Sequence, residues 1–299
     1  MVKNILIATV LSVLAWQQPT LAASKLKVFV SIVPQKYFVQ QIGGDRIDVQ
    51  VMVKPGASPH TYEPKPRQMA ALSKTGIYFA VGVSFEKVWL RRIAATNPRM
   101  AVVRTDQEIN KISMATHLHE EEGDEDLHQE DEEHGEHRTL DPHIWLSPPL
   151  VKLQAKQILI ALQKAAPSHI QEFENNYRRF VTAIDSFDGQ LRDILKGKKG
   201  LPFMVFHPSW GYFARAYGLK QIPIEIEGKS PKPAQLKELI EYSRKTGIKV
   251  IFVQPQFSSK SAKLIAREIG GQLVFADPLA ADWMANLKMI AAKFKRSLE

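Results

Sequence analysis

Residues 168–196 read SHIQEFENNYRRFVTAIDSFDGQLRDILK. Ser168 supplies a helix cap, and the run to about Lys196 reads as one helix. At 1.5 Å per residue, about 29 residues span about 43 Å, enough to cross a whole lobe. Just upstream, Leu150 to Ala165 also reads as helical. The flanking chain differs in texture from this helical centre, so the stretch is expected to be a rigid connection between two bodies.

Before it, strands and helices alternate. Lys27–Ser31 is a strand, and a helix from near Pro34 stops at Gly43-Gly44. Val49–Val53 alternates as a second strand. Gln68–Lys74 is helical, Ile77–Gly82 a buried strand, Phe85–Ala95 an amphipathic helix and Met100–Val103 a fourth strand. After residue 196 the plan repeats. Strands are expected at Pro202–Phe206, Gln221–Glu225, Lys249–Val253 and Leu273–Ala276. Helices are expected at Tyr212–Tyr217, Ala234–Lys245, Ser259–Ile269 and Trp283–Phe294. Pro223 puts its strand at a sheet edge. The fold class is α/β: two similar lobes, each a mostly parallel sheet flanked by helices, joined by one long rigid helix. A chain of 299 residues suits two such domains.

The first residues read as an export signal. Lys3 is a positive start, Ile5–Trp16 is apolar and uncharged, and Leu21-Ala22-Ala23 offers small residues for cleavage. The apolar run is shorter than the ~20 residues of a membrane span. The expected division is a signal peptide over 1–23, a first lobe over 24–166, the linking helix over 167–196 and a second lobe over 197–299. There is no cysteine. That removes a lipoprotein-type anchor, disulfides and thiolate ligands. The expectation is a soluble periplasmic protein, without a lipid anchor and monomeric.

The formal charge of +9 conceals an acidic run. Residues 117–137 hold eleven acids and neither Lys nor Arg, so the rest is more basic than the total. The basic residues are scattered, which argues for a solvated surface and against nucleic acid.

Five of the nine histidines fall in the acidic run: His117, His119, His128, His134 and His137. The run, about 115–138, lacks apolar periodicity and is expected to be a mobile loop that gathers metal weakly. His169, beside its helix cap, reads as an exposed residue. The other three sit at the ends of elements beside prolines: Pro59-His60, Pro142-His143 and His207-Pro208. Ligands of α/β sheets collect at the carboxyl ends of strands. His60 and His207 lie there, one in each lobe, with His143 between them. A shared metal would therefore sit in the interlobe cleft. Asp277, just after a strand, offers a fourth donor, with water the alternative. Imidazole and carboxylate together suit tetrahedral Zn2+.

These motifs resemble the metal-specific solute-binding proteins of ABC transporters, in the zinc and manganese cluster that includes the ZnuA-like periplasmic family. The residues that carry the likeness are Val53-Lys54-Pro55-Gly56-Ala57-Ser58-Pro59-His60, the acidic His-rich loop, Asp141-Pro142-His143-Ile144-Trp145-Leu146, Gly211-Tyr212-Phe213-Ala214-Arg215-Ala216-Tyr217-Gly218-Leu219 and Asp277-Pro278-Leu279. It covers nearly the whole mature chain. The resemblance implies capture of Zn2+ in the cleft and delivery to a membrane permease. It puts His60, His143 and His207 on the family's ligand positions and Asp277 on its carboxylate position. Manganese-specific members resemble this chain but usually carry Glu where His207 stands, so imidazole there favours zinc over manganese or iron. Some zinc members have Glu where this chain has Pro59, and many relatives differ at Pro208-Ser209. A zinc hydrolase is the rival from another class. It needs a general base at the metal, and no His-Glu-x-x-His pair occurs.

Overall fold

The structure, a computed structural model, describes residues 25–114, 139–225 and 229–298. The expected export segment and the five histidines of the acidic run lie outside the described residues. In the first lobe, strands β1 (Leu26–Val30), β2 (Ile47–Val51), β3 (Ile77–Ala80) and β4 (Ala101–Arg104) alternate with helices α1 (Val33–Gly43), α2 (Pro66–Leu72) and α3 (Ser84–Thr96). In the second lobe, β5 (Pro202–Val205), β6 (Lys220–Pro223), β7 (Val250–Val253) and β8 (Gln272–Phe275) alternate with α6 (Gly211–Tyr217), α7 (Pro233–Thr246) and α8 (Lys260–Glu268). Helices α4 (Pro148–Ala165) and α5 (Ile170–Ile194) lie between the lobes in sequence, and α9 (Trp283–Ser297) ends the described chain.

Both sheets have one topology. Their orders are β2-β1-β3-β4 and β6-β5-β7-β8, with every pairing parallel. Parallel strands need helical crossovers, so each sheet is covered on its faces and its central strands are mostly apolar. All of β3, IYFA, is buried accordingly. Strand β6, which carries Pro223, is an edge strand, where a missing N–H costs no ladder bond.

Helix α5 is shorter than the sequence suggests. Pro167–His169 form a 3-10 turn, and the helix proper has 25 residues, about 37 Å. Ser168 therefore sits inside that turn and does not cap α5; His169 holds the cap position without a side-chain bond. Pro167 sets φ for a tight turn and so takes over the start. The buried residues Phe173, Phe180, Ile184, Phe187 and Leu191 form one stripe. The early part of the helix belongs to the first lobe: Asn176 donates to the Ile42 carbonyl at 2.9 Å, and Phe180 packs on Phe38. The late part belongs to the second: Asp188 accepts from the Tyr217 hydroxyl at 2.8 Å.

A second tie joins the lobes. The Trp145 indole N–H donates to the Pro278 carbonyl, and the Trp283 indole N–H donates to the Trp145 carbonyl, both at 2.7 Å. Both rings are buried, and one continuous core runs from Phe38 in the first lobe to Phe213 and Phe252 in the second. A smaller core, including Met204, Ile251 and Ile265, lies beneath α7 and α8. The tied core fixes the walls of the cleft.

Candidate metal centre

Three loops deliver the histidines. After β2 the chain turns through a proline-flanked loop whose Pro59 carbonyl accepts from the Phe85 N–H at 3.2 Å. This pins the loop to the start of α3, where the Ser84 hydroxyl meets His60 Nδ1 at 3.0 Å. His143 stands in a tight turn before a 3-10 segment, Ile144–Leu146. Asp141 Oδ1 accepts from the His143 backbone N–H at 2.8 Å and pairs with its Nδ1 at 2.7 Å. The Tyr212 hydroxyl of α6 donates to the Asp141 carbonyl at 2.9 Å, so the second lobe holds this turn in place.

His207 lies two residues beyond β5. Gln254 clamps its backbone, accepting from the His207 N–H at 3.2 Å and donating to its carbonyl at 2.7 Å. Its ring stacks on Phe257 with centroids 4.4 Å apart and planes 22° apart. Its Nδ1 meets Glu225 Oε1 at 2.6 Å.

The three remaining ring nitrogens converge. Nε2 of His207 is 3.0 Å from Nε2 of His60 and 3.3 Å from Nε2 of His143, and all three ligand atoms lie within 4.8 Å of one another. A tetrahedral zinc with Zn–N bonds of about 2.0–2.1 Å separates its nitrogens by about 3.3 Å. The second partners assign the tautomers. Carboxylates at Asp141 and Glu225 accept a proton from Nδ1, and the Ser84 oxygen can do the same for His60. Each Nε2 is then a bare lone pair aimed at one point, the carboxylate–histidine–metal pattern. Such lone pairs repel unless a cation lies between them.

The electrostatics favour neutral rings. Burial, then the neighbouring imidazoles His207 and His143, hold His60 down at about 2. Burial, with His207, holds His143 well below the usual histidine range. Burial also pushes the Asp141 carboxyl up to about 7, against the opposing pull of the His143 N–H. A metal needs its imidazoles deprotonated, and in these two rings the fold has already supplied that state.

Asp277 does not join the histidine group. Its Oδ1 accepts from the Leu279 N–H at 2.9 Å and from Gln256 Nε2 at 2.8 Å. The bond to the residue two positions on closes an Asx turn after β8, which leaves Asp277 outside the three-histidine group. The described residues that flank the acidic run lie at the site. The Met114 N–H donates to the Thr139 carbonyl at 2.9 Å, Ser113 bridges Leu140, and Met114 and Thr139 both line the cavity around His60 and His207.

Sequence reasoning missed the supporting residues Ser84, Glu225, Gln254 and Phe257, and it quoted Asp141 without giving it a role. Only Asp141, two places before His143, left a local signal. Glu225 reaches His207 across 18 positions, by way of β6.

The family model described as ZnuA, zinc-uptake complex component A periplasmic, matches residues 28–296. The zinc-binding protein AdcA of Streptococcus pyogenes is 28% identical over 288 residues, 93% of this chain and 56% of that protein. The high-affinity zinc uptake system protein ZnuA of Bacillus subtilis is 29% identical over 254 residues, 83% of this chain and 76% of that one. A crystal structure of ZnuA superposes with a TM-score of 0.83 at 40% identity, covering 92% of this chain and 100% of that one. The chain spans about half the length of the AdcA relatives. With the fold, the histidine group and a match over nearly all of the described chain, the protein belongs to the ZnuA family of periplasmic zinc-uptake components.

Proposed function

We propose that this chain is the extracytoplasmic solute-binding protein of an ABC transporter, which captures Zn2+ on His60, His143 and His207 and delivers it to a membrane permease. One observation carries the reading: three Nε2 atoms converge at zinc-like spacing, each with its Nδ1 held by an oxygen. Three nitrogen donors suit zinc better than manganese, which prefers oxygen. Binding, not hydrolysis, fits the carboxylates, since Asp141 and Glu225 are both engaged behind the rings.

Several parts of the reading follow from the sequence. Residues 1–23 direct export to the periplasm, and without cysteine the chain carries no lipoprotein-type anchor. Residues 24–166 and 197–299 act as lobes on either side of the connection at 167–196, in a monomer. The histidines of the acidic run serve as an auxiliary, weaker collecting site; Met114 and Thr139, which flank the run, line the cavity. The Trp145–Trp283 tie limits hinge motion, so loading requires only small movements.

The test is elemental analysis of protein purified from the periplasm without added metal, followed by competition between Zn2+ and Mn2+. One equivalent of zinc is expected to survive competition. His207→Ala should weaken binding by orders of magnitude. Predominant manganese, or an unchanged zinc affinity in His207→Ala, overturns the assignment.

A further inference from the structure

We propose that the cleft takes its metal together with a small carboxylate-bearing ligand, which fills the fourth coordination position and is anchored by Lys87. The proposal rests on the metal reading above and specifies the form in which the cargo is held.

The first support is the donor count. Among the described residues the group holds three histidines and no carboxylate. Asp277 Oδ1 closes its own turn, and Glu225, which lines the cavity with Oε2 free of a hydrogen-bond partner, is held to His207 through Oε1 and stands outside the group. Zinc prefers four ligands, and a site with three protein donors leaves one position for an outside group.

The second is charge. Three neutral imidazoles leave the full double charge on the ion. The carboxylates that offset it, Asp141 and Glu225, bond to the Nδ1 atoms of His143 and His207 and not to the Nε2 side. An exposed cation borders the same cavity. Lys87 lines the metal cavity and the cavity beside it, and it forms no ion pair with a described residue. The other cations of the neighbouring cavity are already matched: Arg104 and Lys111 both pair with the buried Asp106, at 3.0 and 2.6 Å. A lysine facing a metal dication is repulsive unless an anion lies between them. A carboxylate bound to the metal on one side and to Lys87 on the other removes that repulsion.

The third is space. The metal cavity has a volume of about 650 Å³, about twenty times the ~30 Å³ share of one water and within the ~300–1,000 Å³ range of small-molecule sites. It adjoins a second cavity of about 760 Å³. The two share Gly82, Lys87, Thr139 and Leu140. Gly82, at the junction, lets the Asp106–Lys111 pair pack close against its backbone. Its φ is +84°, and a Cβ there would strike Lys111 Nζ and Asp106 Oδ2. Ser58, Thr61 and Ser258 add hydroxyl donors to the metal cavity. A bare ion needs neither this volume nor these donors; a di- or tricarboxylate uses both.

The test uses the full mature chain loaded with one equivalent of Co2+, whose visible bands report its ligand set, and malonate as the probe. Metal stoichiometry is measured first without malonate; failure to bind any metal sinks the metal reading itself. Malonate should then change the bands saturably. Its apparent affinity should fall at least fivefold in Lys87→Met and recover in Lys87→Arg. Three results overturn the proposal while leaving the metal site intact. One is a spectrum that malonate does not move, the mark of a fourth ligand from the chain or a tightly held water. Another is loss of the bands as malonate strips the ion. The third is equal malonate affinity in wild type and Lys87→Met.

Discussion

Replacing Glu225 by Gln tests whether the carboxylate behind His207 sets the metal-binding tautomer. The side chains are isosteric and the site is buried, so the packing is kept. What changes is the 2.6 Å contact between Oε1 and Nδ1. With a carboxylate there, Nδ1 must donate and Nε2 must face the metal as a lone pair. A glutamine amide can turn its N–H toward Nδ1 instead, which moves the ring proton to Nε2 and blocks coordination. Hydrogen bonds to charged groups contribute about 1.5–3 kcal/mol, and each 1.4 kcal/mol is about tenfold in affinity. The expected loss is therefore about 10–100-fold, the range found for partners behind metal-bound histidines. The assay is zinc competition against a chelator of known affinity near neutral pH, with circular dichroism to confirm an unchanged fold. A loss under about threefold would refute the tautomer argument and leave His207 held by the Gln254 clamp and Phe257 alone.

Asp277→Asn should change zinc affinity by less than about threefold, because Oδ1 is spent on the Asx turn; a loss of tenfold or more in the same titration would restore Asp277 as a ligand. The metal-free protein should lose stability in acid through His60. Its folded value of about 2 lies below the unfolded value of about 6.5, so the unfolded chain takes the proton first. That contribution is complete above about pH 6.5 and costs about 2 kcal/mol by pH 5. Asp141, raised to about 7, acts in the opposite sense, taking up its proton in the folded chain first. Denaturant titrations at pH 7 and 5 should therefore show a drop that is about 2 kcal/mol smaller in His60→Asn than in wild type; equal drops contradict the assignment. Trp283→Ala removes a buried ring and the bond to the Trp145 carbonyl and should cost about 3–5 kcal/mol in the same unfolding experiment. A cost under 1 kcal/mol would mean that this tie does not hold the lobes.

The histidines show where sequence reading succeeds and stops. Their positions after strands were legible because α/β topology puts strand carboxyl ends on one side. Two of the three lie in loops whose strands are identified by alternation or by an apolar run. The partners were not legible. Ser84 meets His60 across 24 positions and Gln254 holds His207 across 47, and no periodicity links residues so far apart. Asp277 shows the converse failure. An acid just after a strand has the same local context as a ligand, yet its side chain is taken by the backbone two residues on. Local propensity cannot decide between a turn-closing carboxylate and a metal-binding one.

By itself, the sequence determined the two-lobed α/β plan, the long connection and the edge strand at Pro223, because apolar periodicity and proline chemistry act within a few residues. It also determined the donor chemistry, since a chain without cysteine offers a metal only nitrogen and oxygen. The tertiary structure decided which donors meet. Nε2 atoms from three separate loops come within 3.0 and 3.3 Å only once the Trp145–Trp283 tie and the shared core have set one lobe against the other. It also decided the start of α5, where Pro167 replaced the Ser168 cap by a tighter turn, and it placed Asp277 Oδ1 in an Asx turn. The meeting of the donors depends on atoms far apart in the chain, whose positions are set by packing; the Pro167 turn and the Asp277 turn are local choices between conformations that the sequence leaves open.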